Sequence, residues 1–548
     1  PAGRLDLRAM SSPRVTVACV GLLAVAAFQT LRHPVILDDA FITFRYAQNL
    51  AHGDGLVFNV GEKALSTTAP GLAVVLAALA ALGCDIVLSA RLLGAAALFG
   101  AALSLWRLGD GAGRGFWGLA AGLLVCAGPQ LAENWGNESA LLLCAAAAGW
   151  LFFERGRWVT SAAVLAAGCA VRPDFALLAL LFAVRLGWRS LRSGSWSEFR
   201  RFAVTGAGVA ALWFVVLFLC AGEIVPHTLE VKRLQVEMLR SGDARASTEW
   251  RTWWQGVAAF LSAFWRYPPL PWWSLPGLAL SFAPWPSPSE EDEAGRAGVW
   301  IVGVWALAHL LAYSLLDVPG HHPWYLYPLW LWIAVGGASA LDLTRRGLDV
   351  LLERAGSEAS GVLATSLVGV VLALCVASQE IQRIDAVDPS KSRAYEAVSR
   401  AILESTSESE SMLLGEIGQI GYLTGRTVVD THALIHPQLP AGEVLDLPRL
   451  VQRFGPDLWV DEGWVRGKGP DYVPDVLAGE YEIEVTLPNG EVVAYRQIAS
   501  AGQKESAYLP AVLRRVESRS GQGTEPGSTA QKDESAAPSS SSSSGSSH

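Results

Sequence analysis

The stretch LDDAFITFRYAQNLAHGDGLVFNVGEKALSTTAP, residues 37–70, decides how the rest of the chain is interpreted. It follows the first long apolar segment, and it opens with two adjacent acids, Asp38 and Asp39. Behind the acids, apolar residues recur at helical spacing over residues 40–52, which predicts an amphipathic helix. A polar stretch with paired acids beside an apolar segment is expected at a membrane surface.

Composition places the chain among polytopic membrane proteins. Of its 548 residues, 51% are hydrophobic and only 17% are charged, whereas soluble domains carry about 25% charged residues. The net charge of −9 and the lack of a basic face argue against a nucleic-acid partner. The seven cysteines form no C-x-x-C pair, so the sequence predicts neither a zinc site nor a redox site.

Apolar runs predict about 11 transmembrane helices. The runs lie at residues 15–31, 87–106, 116–132, 139–153, 158–171, 174–188, 201–221, 257–283, 298–316, 323–341 and 360–378. Arginines cluster in alternate connections, which places the N-terminus in the cytoplasm and residues 37–86 outside. An A-x-A triplet lies within the first run rather than after it, so we expect a transmembrane helix there and not a cleaved signal peptide.

The predicted fold class is a polytopic α-helical membrane protein with a small C-terminal α/β extracytoplasmic domain. Residues 1–378 form the transmembrane domain. Within it, residues 37–86 form an outer loop with interfacial helices, because the apolar run from Gly71 to Gly83 is too short to cross a bilayer. Residues 379–505 form the α/β domain, and residues 518–548 form a disordered Ser-rich tail.

Alternation of apolar and polar residues locates the elements of the C-terminal domain. Residues 411–430 predict a short strand, a Gly-rich turn and a second strand. Residues 458–460 and 481–486 are further strand candidates, and residues 393–404 predict a helix.

Asp38 and Asp39 admit two interpretations. In the first, Asp39 caps the helix that begins at Ala40, a role that needs no further chemistry. In the second, one carboxylate is a general base that takes a proton from an acceptor hydroxyl, while its neighbour raises its pKa or binds a hydroxyl or a metal. The two interpretations are compatible, and a divalent cation stays open as a cofactor.

Further charged residues interrupt the apolar pattern at the predicted outer ends of the spans. Arg45 lies nearly two turns beyond the acids, where it can pair with a phosphate or extend to lipid headgroups. Arg172 and Asp174 flank Pro173 in a short turn, and charges at the end of a span mark function or anchoring. Glu138 lies in another short acidic turn.

Three histidines and a lysine fall in other predicted outer segments. His227 and Lys232 follow the seventh span, and Lys232 can contact a phosphate or remain a solvated loop lysine. His321 and His322 can donate to a phosphate oxygen, while the aromatic residues behind them, including Tyr325, fit an interfacial belt. We find neither a P-loop nor a G-x-S-x-G motif, which argues against a nucleotide-driven pump.

Six segments, taken in order, resemble one protein family. They are DDAFITFRYAQNLAHGDGLVFNVGE at 38–62, GNESAL at 136–141, AVRPDF at 170–175, GEIVPHTLEVK at 222–232, HHPWYLYP at 321–328 and GEIGQIGYLTGRTVVD at 415–430. Together they are similar to the mycobacterial terminal arabinofuranosyltransferases and their bacterial relatives. That family consists of polytopic glycosyltransferases of the C fold (GT-C), which use polyprenyl-phosphate sugars.

The chain departs from the family pattern at two places. LSTTAPGL at 65–72 stands where the family has an aromatic GYTNPLW-like segment, and His227 replaces an asparagine. Both departures fall in loops expected to line the acceptor side, so the resemblance leaves the particular sugar and acceptor open.

The resemblance implies an inverting transfer of a sugar, with a pentofuranose among the candidates, from a polyprenyl-phosphate donor. The acceptor is expected to be a cell-envelope glycan, glycolipid or protein on the outer face of the bacterial plasma membrane. The implied catalytic residues are Asp38 as the base and Asp39 as a ligand of substrate or metal. The implied donor-phosphate contacts are Arg172, Lys232, His321 and His322, and the other substrate contacts are Arg45, Glu138, His227 and Tyr325.

Two other classes of function are considered beside this one. A transporter or flippase of lipid-linked sugars predicts charges along a path through the spans and an inverted repeat. Only Arg91, Arg266 and His309 lie well inside candidate spans, and no repeat is evident. In a binding or scaffold protein, the outer acids Asp38 and Asp39 need have no functional role.

Overall fold

The computed structural model describes most of the chain from residue 36 onward. The described residues are 36–111, 113–128, 136–228, 230–231, 290–315, 323–386, 390–436, 438–440, 443–444, 446–461, 482–500 and 511–516. The predicted spans at 15–31 and 257–283 and the predicted tail at 518–548 lie outside these residues.

Two short helices form the outer loop. Helix α1, Asp38–His52, ends at Gly53, whose positive φ of 94° closes the helix in a left-handed conformation that glycine adopts without strain. Helix α2, Pro70–Ala81, begins with proline, which is favoured in the first turn of a helix. The short apolar run therefore forms a separate helix, as the sequence predicts, and α2 packs against α1.

Nine longer helices are described between residues 86 and 386. They are α3 (Ile86–Gly111), α4 (Gly115–Cys126), α5 (Ser139–Glu154), α6 (Trp158–Val171), α7 (Ala176–Ser193), α8 (Ser197–Ala221), α9 (Glu290–Leu315), α10 (Tyr327–Arg354) and α11 (Ser360–Ala386). Short 3-10 turns at Pro173–Phe175 and Pro323–Leu326 precede α7 and α10. Every predicted span that falls on described residues coincides with one of these helices.

Length and composition suit three helices of the described chain to crossing a bilayer. They are Ile86–Gly111, Ser197–Ala221 and the Ser360–Ala377 part of α11. Leu219 on α8 is 76% exposed and Val362 on α11 is 70% exposed, as expected for side chains that contact lipid. α4, α5 and α6 are shorter apolar helices, and they pack with α10 around a common apolar core.

The C-terminal domain is built on a mixed sheet. Its strands are β1 (Met412–Leu414), β2 (Val428–Asp430), β3 (Leu458–Asp461), β4 (Glu482–Thr486), β5 (Val492–Ser500) and β6 (Ala511–Val516), in the order β2-β1-β3-β6-β5-β4. β2, β1 and β3 are parallel, and the remaining neighbours are antiparallel. The helices are α12 (Ser390–Ser405), α13 (Gly418–Thr424) and α14 (Leu447–Phe454). β6 lies beyond residue 505, the predicted end of the domain.

The outer loop and the C-terminal domain share one apolar core. A single cluster of buried side chains combines residues of α1 and α2 with residues of α12, α13 and the sheet. The ring of Tyr422 on α13 lies 5.5 Å from that of Phe41 and 6.1 Å from that of Phe44 on α1. The sheet thus supports α1 directly, and α1 carries the paired acids.

Candidate functional site

Asp38 begins α1 and reaches into the C-terminal domain. Its carboxylate accepts hydrogen bonds from the backbone amides of Gly418 at 2.9 Å and Gln419 at 2.6 Å. Each oxygen accepts one of these bonds, so both retain a lone pair for a proton or a substrate hydroxyl. Asp38 is partly buried and Asp39 is exposed. The two acids of the pair therefore occupy different environments.

The predicted capping role of Asp39 is wrong. α1 starts one residue before Asp39 rather than one residue after it, and Leu37 occupies the N-cap position without a side-chain cap. Both acids instead lie in the first turn, where a negative charge interacts favourably with the helix dipole.

The surroundings of Asp38 favour its neutral form. Burial is the largest influence, the carboxylate of Glu416 is the second, and together with Asp39 they raise the pKa of Asp38 from 3.8 to about 7 against the opposing effect of the two amide bonds. A carboxylate whose pKa lies near neutral pH is well matched to general base catalysis.

Glu416 is held in place by the same domain. Its carboxylate pairs with Lys391 Nζ at 2.5 Å and accepts a hydrogen bond from the Tyr395 hydroxyl at 2.8 Å. Both partners lie on α12, while Glu416 lies in the turn between β1 and α13. The charge that faces Asp38 therefore has a fixed position.

Arg45 is a buried residue that joins the outer loop to the C-terminal domain. Its guanidinium donates to the carbonyl oxygens of Phe58 at 3.2 Å and Gly425 at 2.8 Å. Of its two predicted environments, a lipid surface does not fit a side chain that is only 4% exposed. Its predicted contact with substrate stays a prediction, while its observed contacts connect α1 to the end of α13.

A second polar cluster surrounds Arg172, which is buried at the end of α6. Its guanidinium pairs with Glu138 at 2.5 Å and with Asp174 at 2.9 Å, and it donates to the Tyr313 hydroxyl at 3.1 Å. The Tyr313 hydroxyl in turn donates to Asp174. The sequence-predicted residues Glu138 and Arg172 are thus brought together.

Aromatic rings cover the Arg172 cluster. The guanidinium lies 4.8 Å from the ring centre of Tyr325, and the Tyr327 hydroxyl donates to Asp174 at 3.3 Å. Burial is the largest influence and opposes ionisation of Asp174, yet the Arg172 guanidinium, His309 and the Tyr313 hydroxyl together outweigh it and hold the pKa of Asp174 below its ordinary value. Arg172, Glu138 and Asp174 together carry one excess negative charge.

Two contacts connect the Arg172 cluster to the start of α1. Leu37 packs against the buried pair Tyr325 and Leu326. A Cβ on Gly136 would lie 3.3 Å from the Ile36 side chain, so the turn that carries Glu138 also contacts the residues before Asp38. The chain immediately before the acid pair therefore lies between the two polar clusters.

His227 lies beside the outer loop, although on a different element. Its amide donates to the carbonyl oxygen of Leu65 at 2.8 Å. Its ring bonds to Glu223 at 2.9 Å and approaches Glu230 at 3.5 Å. A histidine between two carboxylates can bind a substrate hydroxyl, and this role stays a prediction.

Three predicted phosphate contacts, Lys232, His321 and His322, lie outside the described residues. Within the described part of the chain, no group of three or more His, Cys, Asp or Glu side chains is arranged to hold a metal ion. A divalent cation was considered as a cofactor from the acid pair, and the described residues assign no ligands to it.

Sequence reasoning missed the contribution of the C-terminal domain to the site. Glu416, Gly418 and Gln419 were not among the predicted site residues, although they contact or face Asp38. A signal existed in the glycines of GEIGQIG, residues 415–421, which recur every third position between two strands. Such spacing indicates a turn that another part of the chain approaches closely.

Comparison with known proteins shows which solved structures have a similar fold. Neither a protein-family profile nor a curated protein sequence matches this chain. Among solved structures, the oligosaccharyltransferase AglB of Archaeoglobus fulgidus with an inhibitory peptide and a dolichol-phosphate matches with a TM-score of 0.54 at 12% identity, over 88% of this chain and 74% of that chain. The Archaeoglobus fulgidus oligosaccharyltransferase in the apo form matches with a TM-score of 0.53 at 11% identity, over 81% of this chain and 69% of that chain.

A bacterial protein matches over almost its whole length. ArnT of Cupriavidus metallidurans bound to undecaprenyl phosphate has a TM-score of 0.51 at 14% identity, over 92% of this chain and 98% of that chain. These proteins share the GT-C architecture of membrane glycosyltransferases, and the present chain has that fold. At these identities the likeness concerns the fold alone.

Proposed function

We propose that this protein is a membrane glycosyltransferase that moves a sugar from a polyprenyl-phosphate donor to a hydroxyl acceptor, with Asp38 as the general base. The observation that carries the proposal is the Asp38 carboxylate at the start of α1, which the backbone amides of Gly418 and Gln419 orient and whose pKa is raised to about 7. The GT-C fold supports the class of reaction, since similar structures are described with undecaprenyl phosphate or a dolichol-phosphate.

In the proposed reaction, the acceptor oxygen attacks the anomeric carbon of the donor sugar and inverts its configuration. The bond from that carbon to the phosphate oxygen breaks, and the polyprenyl phosphate leaves with the bonding electrons. Asp38 receives the acceptor proton as the new glycosidic bond forms. The leaving phosphate is already ionised, so the enzyme chiefly supplies a base and contacts to the phosphate.

The donor phosphate requires contacts from positively charged or hydrogen-bond-donating side chains. Arg172 is already paired with two carboxylates, and its cluster carries an excess negative charge that opposes an anionic ligand. We therefore assign Arg172 to holding the turns in place, and Lys232, His321 and His322 to the donor phosphate. Asp39, His227 and Tyr325 remain the proposed contacts to the sugar or the acceptor.

The proposed location follows from the charge pattern of the sequence. The N-terminus lies in the cytoplasm, and the outer loop and C-terminal domain lie on the outer face of a bacterial plasma membrane. The acceptor is then a cell-envelope glycan, glycolipid or protein. A pentofuranose donor, as in the arabinofuranosyltransferase-like subgroup, rests on the resemblance of the six segments.

The test offers donors of different chemistry to the purified protein in lipid nanodiscs. Polyprenyl-phosphate sugars, including a pentofuranose, and nucleotide sugars are each supplied with cell-envelope extract, and transfer is followed by mass spectrometry. We expect product only from a polyprenyl-phosphate sugar. Product from a nucleotide sugar alone, or translocation of lipid-linked sugar in liposomes without transfer, contradicts the proposal.

A further inference from the structure

The segment GEIGQIG, residues 415–421, consists of the turn after β1 and the first four residues of α13. The first backbone amides of a helix have no partner within the helix itself. Here the amides of Gly418 and Gln419 donate to the carboxylate of Asp38.

Two glycines of this segment, Gly418 and Gly421, allow the outer loop to approach. A Cβ on Gly418 would lie 2.7 Å from Asp38 Oδ2, and it would collide with the Asp38 carbonyl group. A Cβ on Gly421 would lie 2.9 Å from the Phe58 ring. Both distances are too short for a side chain, so the start of α13 fits the outer loop only with glycine at these positions.

The same turn supplies a charge that acts on Asp38. Glu416 is the strongest charged influence that raises the pKa of Asp38, Asp39 raises it further, and the two amide bonds lower it. Lys391 and Tyr395 of α12 fix the position of Glu416. One short segment of the C-terminal domain, the turn after β1 with the start of α13, thus controls the direction of the Asp38 carboxylate and its affinity for a proton.

We infer that the C-terminal domain is part of the catalytic apparatus, with Gly418 orienting Asp38 and Glu416 acting as a positioning residue that keeps Asp38 receptive to the acceptor proton. This inference rests on the proposed function, in which Asp38 is the base. It makes catalysis depend on the contact between the outer loop and the C-terminal domain.

The first test is the pH profile of kcat/KM for the wild type, Glu416→Gln and Glu410→Gln. Glutamine at 416 retains an acceptor for Tyr395 but removes the charge that faces Asp38, so the acidic limb of the profile should move to lower pH. Glu410 pairs with Arg514 at 3.0 Å elsewhere in the domain, and its variant should keep the limb of the wild type. If kcat/KM of Glu416→Gln falls but the acidic limb of its pH profile stays at the wild-type pH, the inference is overturned, because a loss of structure alone has that effect.

The second test is Gly418→Ala, with Gly208→Ala as its control. A Cβ on Gly208 meets open space, so that variant should behave as wild type. Displacement of Asp38 by a Cβ at 418 should lower kcat by about 100-fold, since misplacing a reacting group by 1 Å has an effect of that order. Wild-type kcat in a folded Gly418→Ala protein overturns the inference.

A third measurement separates this inference from the proposed function. The protonation of Asp38 is followed by infrared difference spectroscopy against Asp38→Asn, without any substrate. We expect the titration midpoint of Asp38 to lie lower in Glu416→Gln than in the wild type, whether or not transfer is observed. An equal midpoint overturns the inference alone, whereas absence of transfer in the wild type overturns the proposed function alone.

Discussion

Two acidic sites of this protein differ in what balances their charge. Glu138 and Asp174 share the Arg172 guanidinium at 2.5 and 2.9 Å, whereas Asp38 receives two neutral amide donors and faces Glu416. The pKa of Asp174 is lowered and that of Asp38 is raised to about 7. A carboxylate beside a guanidinium is fixed in its ionised form, and a carboxylate held by amides near other acids can exchange a proton.

The difference assigns separate roles to the two sites. The Arg172 cluster joins the turn before α5, the turn after α6 and the ring of Tyr325 before α10. It therefore holds the adjoining ends of several helices together. The Asp38 site joins the outer loop to the sheet and presents a base. Removing a partner from either site should therefore change different properties of the protein.

Removing the cation from the first site should produce the largest loss of stability. Arg172→Ala leaves Glu138 and Asp174 buried without their partner, and breaking a buried ion pair from one side costs about 3–5 kcal/mol. The midpoint of thermal unfolding in detergent should fall well below that of Arg189→Ala. Arg189 is 64% exposed and lies 3.9 Å from Glu198, a pair expected to contribute less than about 1 kcal/mol. Equal midpoints for the two variants would contradict the anchoring role.

Removing the acid from the second site should change how stability depends on pH. Folding raises the pKa of Asp38 from 3.8 to about 7, so the folded state binds its proton more tightly than the unfolded state does. This stabilising contribution is fully present below about pH 4 and is lost as the pH rises through 7, at about 1.4 kcal/mol per pKa unit. The free energy of unfolding of Asp38→Asn, measured from pH 5 to 8, should not show this decrease. Parallel curves for variant and wild type would show that folding leaves this pKa unchanged.

A smaller effect is expected where the outer loop meets the edge of the sheet. The Asn59 amide donates to the Val428 carbonyl at 2.8 Å and accepts from the Val428 amide at 2.9 Å. Asn59→Ala leaves these buried backbone groups without their partner, which costs about 1–3 kcal/mol. Hydrogen exchange of β2 should accelerate in Asn59→Ala but not in Asn489→Ala, whose side chain lies in an exposed turn. Unchanged exchange in β2 would show that the sheet does not depend on this contact.

Local patterns in the sequence predicted most of the helices and several strands. The apolar runs coincide with helices because the length and polarity of a segment dictate whether it can be buried in lipid. The strand at residues 458–460 and the helix at 393–404 follow the periodicity of their own residues. β5 and β6, which pair with each other in antiparallel orientation inside the sheet, were missed.

The site was only partly predictable because its contacts join distant parts of the chain. Asp38 and Gly418 are separated by 380 residues, and no local pattern indicates that an amide of one meets the carboxylate of the other. Arg172 was predicted as a phosphate contact from the resemblance to the family, and its place at the end of a span agreed with function or anchoring. Its pairing with Glu138, 34 residues earlier, becomes visible only when the helices pack.

The most direct test of the central claim compares sugar transfer by Asp38→Asn and Asp39→Asn at saturating donor. If Asp38 is the base, Asp38→Asn should lower kcat by about 10²–10⁴-fold, the usual contribution of a general base. Asp39→Asn should retain kcat within about tenfold of the wild type, because Asp39 is exposed and serves at most as a ligand of the substrate. Wild-type kcat in folded Asp38→Asn, or the larger loss in Asp39→Asn, would contradict the assignment of the base.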